Sequence, residues 1–318
     1  MAINENTAPL ETHDMVIIGG GPGGLTAGLY AARDKQDVVM LEKLSPGGQV
    51  LSTDWVENYS GFPDGVSGFD LMERMKKQAE KFGLKILSHE VSHVNFTGTE
   101  KILELNNGSI AARSVILATG AQPRKLGIDG EGFLTGKGVS YCGTCDGPFY
   151  RDAEVAVIGG GDTAVQEAIF LTRFASRVYV IHRRDELRAT KIIQERAFAN
   201  EKIEFVLDTI PLSIEGQTGV ENLRLRNVKT SEESTLNIEG VFVLVGTRPV
   251  TEFLKDAVDL DGQGFIKVNR RQETNVPGVF AAGDVTSETP RQIATAVGEG
   301  VTAVLDAEEY LDEHTASQ

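Results

Sequence analysis

The chain has 318 residues, long enough for two domains of ordinary size, each with its own core. Acids outnumber bases 46 to 31, leaving a net charge of −15 and a pI near 4.9, so a general electrostatic grip on nucleic acid or on an anionic membrane is excluded. Two cysteines exclude a disulfide framework, and the longest apolar runs, 115–118 and 241–245, are strand-length rather than bilayer-length.

From the start, residues 1–14 are polar and lack a basic opening and an apolar stretch, so no secretory signal is expected and the chain is assigned to the reducing cytoplasm. An apolar strand then runs into Gly19-Gly20-Gly21-Pro22-Gly23-Gly24, a helix over 25–33 and a second strand over 37–41 that ends at Glu42. Ser45-Pro46-Gly47-Gly48-Gln49 and the aromatic, glycine-rich segment 55–69 read as loops. A helix is predicted over 68–82, and 84–110 read as a strand excursion with an Asn106-Asn107-Gly108 turn. The apolar strand 115–118 stops at Thr119-Gly120, and Pro123 follows.

Both cysteines sit in Cys142-Gly143-Thr144-Cys145, followed by Asp146. A second strand–turn–helix comes next, with Gly159-Gly160-Gly161-Asp162-Thr163-Ala164 as its turn, a helix over 162–174 and a strand over 177–181. Its tip is His182-Arg183-Arg184, with Arg188 four residues on, and a helix is predicted over 190–200. Strand 241–245 stops at Gly246 and Pro249, 278–284 reads as a buried strand ending in Gly283-Asp284, and a last helix is predicted over 291–310 with a frayed end over the final eight residues.

The order contains a repeat. A shift of 140 positions carries Gly19 onto Gly159, so the chain holds two dinucleotide-binding βαβ units. In each, the first glycine permits the tight turn, Gly21 or Gly161 lets backbone approach a pyrophosphate, and Gly24 or Ala164 lets helix pack on strand. The helix N-terminus then offers free N–H groups to phosphates. A second shift, of 126, carries Gly120 onto Gly246, so each unit closes with a similar strand and the chain crosses between domains near Pro123 and Pro249. The expected architecture is α/β, two Rossmann-like three-layer ββα domains with the second inserted in the first: 1–123 with 250–318, and 124–249.

The repeat also separates the nucleotides. Glu42, at the tip of the second strand, accepts hydrogen bonds from ribose hydroxyls, so the first unit expects FAD or NAD. The equivalent tip carries His182, Arg183 and Arg184 with Arg188 behind, and guanidiniums suit a 2′-phosphate, so the second expects NADPH rather than NADH. The other reading of the arginines is a solvated face ion-paired with Asp185 and Glu186. Asp146 reads either as a general acid beside the cysteines or as an ordinary turn acid.

Taken together, Gly19–Gly24, Gly47-Gly48-Gln49, Ala118-Thr119-Gly120, Cys142–Gly147, Gly159–Ala164, His182–Arg188 and Gly278–Asp284 resemble, in that order, the low-molecular-weight NADPH-dependent thioredoxin reductases over essentially the whole chain. The resemblance implies a homodimeric flavoprotein that passes electrons from NADPH through FAD to an active-site disulfide and on to thioredoxin. It gives the discontinuous domain to FAD and the inserted one to NADPH and the cysteine pair. It also implies FAD contacts at Gln49, Asn58, Asp284, Gln292 and Ile293, 2′-phosphate contacts at Arg183, Arg184 and Arg188, a flavin-facing Cys145, a thioredoxin-facing Cys142 and an acid at Asp146. Two departures stand out: Gly143 where alanine is commoner, and Val250 where asparagine is usual. Because one domain would present both reductant and oxidant to one flavin, rotation about the two crossings is expected. The rival readings are an FAD-dependent dithiol oxidase, which needs no 2′-phosphate clamp, a reductase in a peroxiredoxin system, and a nucleotide sensor without turnover.

Overall fold

A computed structural model describes residues 11–53, 55–254, 256–287 and 289–315. By contact, the chain separates into two compact units, Met1–Gln122 with Arg248–Gln318, and Pro123–Thr247.

The first unit opens with β1 (Glu11–Ile18), α1 (Pro22–Arg33) and β2 (Val38–Glu42), then α2 (Gly68–Lys81), β3 (Lys85–Ser88), β4 (Val91–Asn95), β5 (Lys101–Leu105) and β6 (Gly108–Leu117). The short strand β7 (Ala121–Pro123) leads out of it. Strand β6 belongs to two layers. Through Gly108–Ala112 it pairs antiparallel with β5, closing the β4–β5–β6 meander, and through Val115–Leu117 it pairs parallel with β17 (Val279–Ala281). With β1, β2 and β3 this gives a parallel sheet β3-β2-β1-β6-β17, and alternate residues of β1 divide between two cores, Met15 and Ile17 on one face and Val16 and Ile18 on the other.

The second unit repeats this plan. It contains α3 (Glu131–Leu134), β8 (Val139–Ser140), α4 (Gly143–Asp146), β9 (Glu154–Ile158), α5 (Asp162–Leu171), β10 (Arg177–Ile181), α6 (Lys191–Phe198) and β11 (Ile203–Val206). A meander of β12 (Thr209–Glu215), β13 (Asn222–Asn227) and β14 (Glu233–Asn237) follows, then β15 (Gly240–Val243) and the outgoing β16 (Thr247–Pro249). Its sheet is β11-β10-β9-β15-β8, all parallel, with Val155 and Val157 facing one core and Ala156 and Ile158 the other. The edge strand beside β15 comes before the βαβ unit in sequence, whereas its counterpart β17 comes last in the first unit. Strands β7 and β16 pair as a two-stranded ribbon. The last element, α7 (Ile293–Thr315), packs across α1.

Several elements depart from their sequence-based bounds. The helix expected over 162–174 ends at Leu171, where Phe174 turns its carbonyl to the Asp152 N–H. The helix expected over 190–200 is confined to Lys191–Phe198. The final helix runs on to Thr315, because Leu311 is buried in the first core and His314 stacks on Tyr310, so the expected fraying does not extend over 311–315; residues 316–318 and 1–10 lie outside the described part. Segment 55–69 is not wholly loop: Val56 and Val66 form an antiparallel bridge that brings Ser67 to cap α2 through the Asp70 N–H.

Candidate functional site

Three groups of residues carry the chemistry, one in the first unit and two in the second. In the first, β1 runs into a turn at Gly19, whose φ of +105° and contact with the Ala118 carbonyl leave no room for a side chain. Helix α1 starts at Pro22 behind Gly21 with no side-chain cap, so its leading N–H groups stay available, and a Cβ on Gly21 would meet nothing within 4 Å. Gly23 is buried against α7 and Gly24 against the Gly19 turn, a Cβ on Gly23 standing 3.1 Å from the Ala296 carbonyl. Glu42 reaches back to this turn: its carboxylate accepts the Gly20 N–H at 2.8 Å and the Leu44 N–H at 2.9 Å. The loop beyond is drawn in as well, since the Gly47 N–H donates to the Gly20 carbonyl at 2.7 Å and a Cβ on Gly48 would lie 3.3 Å from Gly21.

The remaining expected contacts of this unit fall into place around it. Gln49 follows Gly48 on an exposed 3-10 turn, and the Asn58 amide donates to Gln292 at 3.1 Å, joining residues 234 positions apart. Thr119 donates to the Val250 carbonyl at 2.7 Å, Gly120 takes a φ of +70°, and Ile293, which opens α7, packs against the first core. Glu299 of α7 holds the tip of β17 by accepting the Gly283 N–H at 2.7 Å and the Thr289 hydroxyl. Burial pushes the Asp284 carboxyl up to about 6, Glu299 acting with burial and Arg291 against it.

In the second unit Gly159–Gly161 repeats the turn. Gly161 again precedes a helix with no side-chain cap and faces open space. The arginine segment folds back onto this turn, because the Arg188 and Ala189 N–H groups both donate to the Gly160 carbonyl, at 2.7 and 3.0 Å. His182 is buried against Gly160, and its Nε2 has no partner among the described residues. Burial first, then Arg188, Arg184 and Arg183, lower its pKa, so the ring is neutral at neutral pH. Those three arginines are exposed and, among the described residues, carry no ion pair; Asp185 pairs with Lys229 at 2.9 Å instead. Of the opening residues of α5, Thr163 is exposed, Ala164 is buried against Gly159, and the Asp162 carboxylate accepts the Thr190 N–H at 2.7 Å.

Both turns therefore fit a dinucleotide. Each offers uncapped helix N–H groups with clear space before them, and the second adds an orphaned buried ring nitrogen and three unpaired guanidiniums, a donor set suited to a phosphomonoester.

The third group is the cysteine turn. Cys142 and Cys145 form a disulfide across α4, with Cα atoms 5.3 Å apart. The Cys145 N–H points at Cys142 Sγ at 3.2 Å, and the Thr144 hydroxyl lies 3.4 Å from that sulfur. The buried Glu131 and Ser140 and the half-buried Glu167 pin the residues leading into the turn. Glu131 accepts the Tyr141 hydroxyl at 3.0 Å and the Leu126 and Gly127 N–H groups at 2.9 and 2.8 Å; Ser140 accepts the Cys142 N–H at 3.1 Å; and Glu167 of α5 accepts the Gly143 N–H. Burial pushes the Tyr150 hydroxyl up to about 12, with Asp146 adding to it. Ser140, Glu131, Glu167 and Glu299, which hold these turns, were missed by motif reading. Only Glu167 left a trace in the sequence, an acid on the apolar stripe of α5 between Ala164 and Leu171.

No helix among the described residues is long and apolar enough to cross a membrane. Residues 13–300 match the family described as pyridine nucleotide-disulphide oxidoreductase. The chain is 48% identical over 302 residues to a thioredoxin reductase of Mycolicibacterium smegmatis, covering 95% of this chain and 97% of that one, and 46% identical to one of Streptomyces coelicolor, covering 95% and 94%. The crystal structure of thioredoxin reductase from Streptococcus pyogenes superposes with a TM-score of 0.91 at 44% identity, covering 95% of this chain and 99% of that one. The chain belongs to the pyridine nucleotide-disulphide oxidoreductase family, and within it to the thioredoxin reductases.

Proposed function

We propose that this chain uses NADPH to reduce the disulfide of a thioredoxin, by way of FAD and the Cys142–Cys145 pair. One observation carries the reading: the disulfide lies on a four-residue helix packed against α5, the helix that opens the second nucleotide turn. The first unit is assigned to FAD, with Gly19, Gly21, Pro22, Gly23, Gly24, Gly48 and Thr119 at the dinucleotide turn and Glu42 toward the ribose. Gln49, Asn58, Gly120, Gly283, Asp284, Gln292 and Ile293 complete that set. The second is assigned to NADPH, held by Gly159, Gly161, Asp162, Thr163, Ala164 and His182, with Arg183, Arg184 and Arg188 on the 2′-phosphate.

Bound flavin supplies a two-electron relay between a pyridine nucleotide and a sulfur pair. The protein's part is to place and protonate. Two electrons and two protons open the Cys142–Cys145 bond into two thiols. Cys142, as the thiolate, then attacks the substrate disulfide, forming a mixed disulfide and expelling one substrate thiolate; Cys145 attacks that bond, re-forming the disulfide and releasing the second. The Cys145 N–H at Cys142 Sγ and the nearby Thr144 hydroxyl are placed to stabilise the attacking thiolate. Asp146 is assigned the proton given to the departing thiolate. Because both electron donor and electron acceptor belong to the second unit, the cycle needs that unit to turn about β7 and β16. A homodimer in the cytoplasm is the assembly and location proposed.

Anaerobic addition of NADPH to the flavin-loaded protein should bleach the flavin and expose two titratable thiols, and added thioredoxin should return the flavin to its oxidised spectrum. Bleaching without new thiols would favour a different electron acceptor.

A further inference from the structure

Glu167 is a half-buried carboxyl that the reaction scheme above does not use. It projects from α5 onto α4, and its Oε2 accepts the N–H of Gly143, the amide joined directly to Cys142. The contact depends on what Gly143 lacks. A Cβ there would lie 2.5 Å from Glu167 Oε2 and 3.3 Å from Glu167 Cβ, so any larger residue must push the carboxyl away. The glycine that departs from the commoner alanine is thus the residue that admits the acid.

Two other N–H groups of the turn are held within it, that of Cys145 by Cys142 Sγ and that of Asp146 by the Cys142 carbonyl. Among the described residues, Glu167 is the side chain from another helix that holds the peptide between the cysteines, and it brings a negative charge within one peptide unit of Cys142. Other ionisable groups around the turn are Asp146 on α4, Tyr150 just after it, and the Glu131–Tyr141 pair before it. Burial and Asp146 raise the pKa of Glu167 while the Gly143 N–H lowers it.

We propose that Glu167 is a positioning residue for the Cys142–Cys145 couple and that Gly143 is its obligate partner: the carboxyl fixes the turn whether the disulfide is closed or open, and its charge restrains ionisation of the Cys142 thiol once the pair is reduced. The proposal rests on the redox reading of the pair, but its consequences can be measured without turnover.

The flavin-loaded enzyme is reduced with excess dithiothreitol, desalted anaerobically and alkylated with iodoacetamide at pH 7, labelling at Cys142 being followed by peptide mass. Glu167→Gln keeps an oxygen for the Gly143 N–H and removes the charge, so alkylation should accelerate about threefold to tenfold, one pKa unit being tenfold in thiolate. Glu167→Ala and Gly143→Ala should accelerate it too. Deuterium exchange over the 141–146 peptide separates the hold from the charge: it should quicken in Glu167→Ala and Gly143→Ala and stay slow in Glu167→Gln. Gly143→Ala should add nothing in a Glu167→Ala background, where there is no carboxyl to displace. Alkylation within twofold of the parent in Glu167→Gln and Gly143→Ala overturns the proposal, as does an effect of Gly143→Ala that is the same with and without Glu167. Failure to reduce thioredoxin would instead overturn the proposed function and leave these readouts intact.

Discussion

The arginines behind His182 show how a single residue's surroundings decide between a functional and an ornamental charge. Had Asp185 and Glu186 neutralised them, they would be a solvated face; Asp185 instead turns to Lys229, and burial first, then Arg188, Arg184 and Arg183, lower the pKa of His182. A charge-assisted hydrogen bond is worth about 1.5–3 kcal/mol, discounted here for exposure. Arg183→Ala with Arg184→Ala is therefore expected to raise KM for NADPH at least tenfold while leaving kcat and the KM for NADH nearly unchanged, as steady-state assays with both donors will read. Equal losses for the two donors would move the 2′-phosphate elsewhere.

Asp284 is a second residue whose surroundings set a sign. Its folded pKa, about 6, lies above the ordinary value of 3.8 because burial disfavours the charged form. The native state then holds a proton that the unfolded chain has lost, so this group's contribution to stability falls as pH rises from about 4 to about 6 and is fully unfavourable above that. Asp284→Asn should raise the melting temperature of the flavin-free protein at pH 7.5, and the gain should vanish near pH 4. If Asp284 also contacts the flavin, the same variant should lose flavin more readily, a pairing of effects that a purely structural acid does not give. At this scale the sequence displayed the nucleotide turns and the cysteine pair, because each is a contiguous motif. Glu131, Ser140 and Glu299 were illegible because each takes a backbone N–H as a partner, a group that has no side-chain signature.

Among elements, α1 and α7 meet through glycine. A Cβ on Gly300 would run into the Gly23 carbonyl, and Gly23 in turn sits under Ala296. Alanine inside a helix ordinarily stabilises by about 1 kcal/mol over glycine. Here overpacking costs about 1–3 kcal/mol, so Gly300→Ala is expected to lower the melting temperature by a few degrees and, by displacing the start of α1, to weaken flavin retention; a calorimetric scan with flavin fluorescence measures both. An unchanged or higher melting temperature would show that the helices can separate at no cost. The central parallel strands β1, β2, β6, β9, β10, β15 and β17 were readable from their apolar runs and the 106–108 turn gave the β5–β6 hairpin, whereas the parallel edge strands β8 and β11 were not read. The meander β12–β14 was not read, although Asn222–Asn227 alternates Leu223 and Leu225 inward with Arg224 and Arg226 outward. With a neighbour as exposed as β14, the pattern lacks the apolar weight that marked β1 or β9. Helix ends were the other weak point, since Phe174 and Leu311 take their places from tertiary partners rather than from local spacing.

Across the whole molecule, the two crossings obey the second internal repeat, the shift of 126 positions that carries Gly120 onto Gly246. The Val250 N–H donates to the Gly120 carbonyl at 3.0 Å and the Arg124 N–H to the Gly246 carbonyl at 2.9 Å, so each unit ties off its own end of the β7–β16 ribbon. Gly120 and Gly246 both have positive φ, +70° and +109°, a region that β-branched residues scarcely enter. If the second unit turns about these strands during each cycle, the glycines are where the backbone angles change, and at Gly246, which belongs to neither assigned nucleotide set, a residue that narrows that range should obstruct the turn. Gly246→Val is expected to keep flavin bound and leave KM for NADPH within about twofold, while kcat for thioredoxin reduction falls tenfold or more. Stopped-flow absorbance should then find only one half-reaction slowed, either flavin reduction by NADPH or transfer to the Cys142–Cys145 disulfide, because a unit confined to one orientation still serves one partner. Turnover at the parent rate, with both half-reactions intact, would mean that electrons pass without the crossings bending.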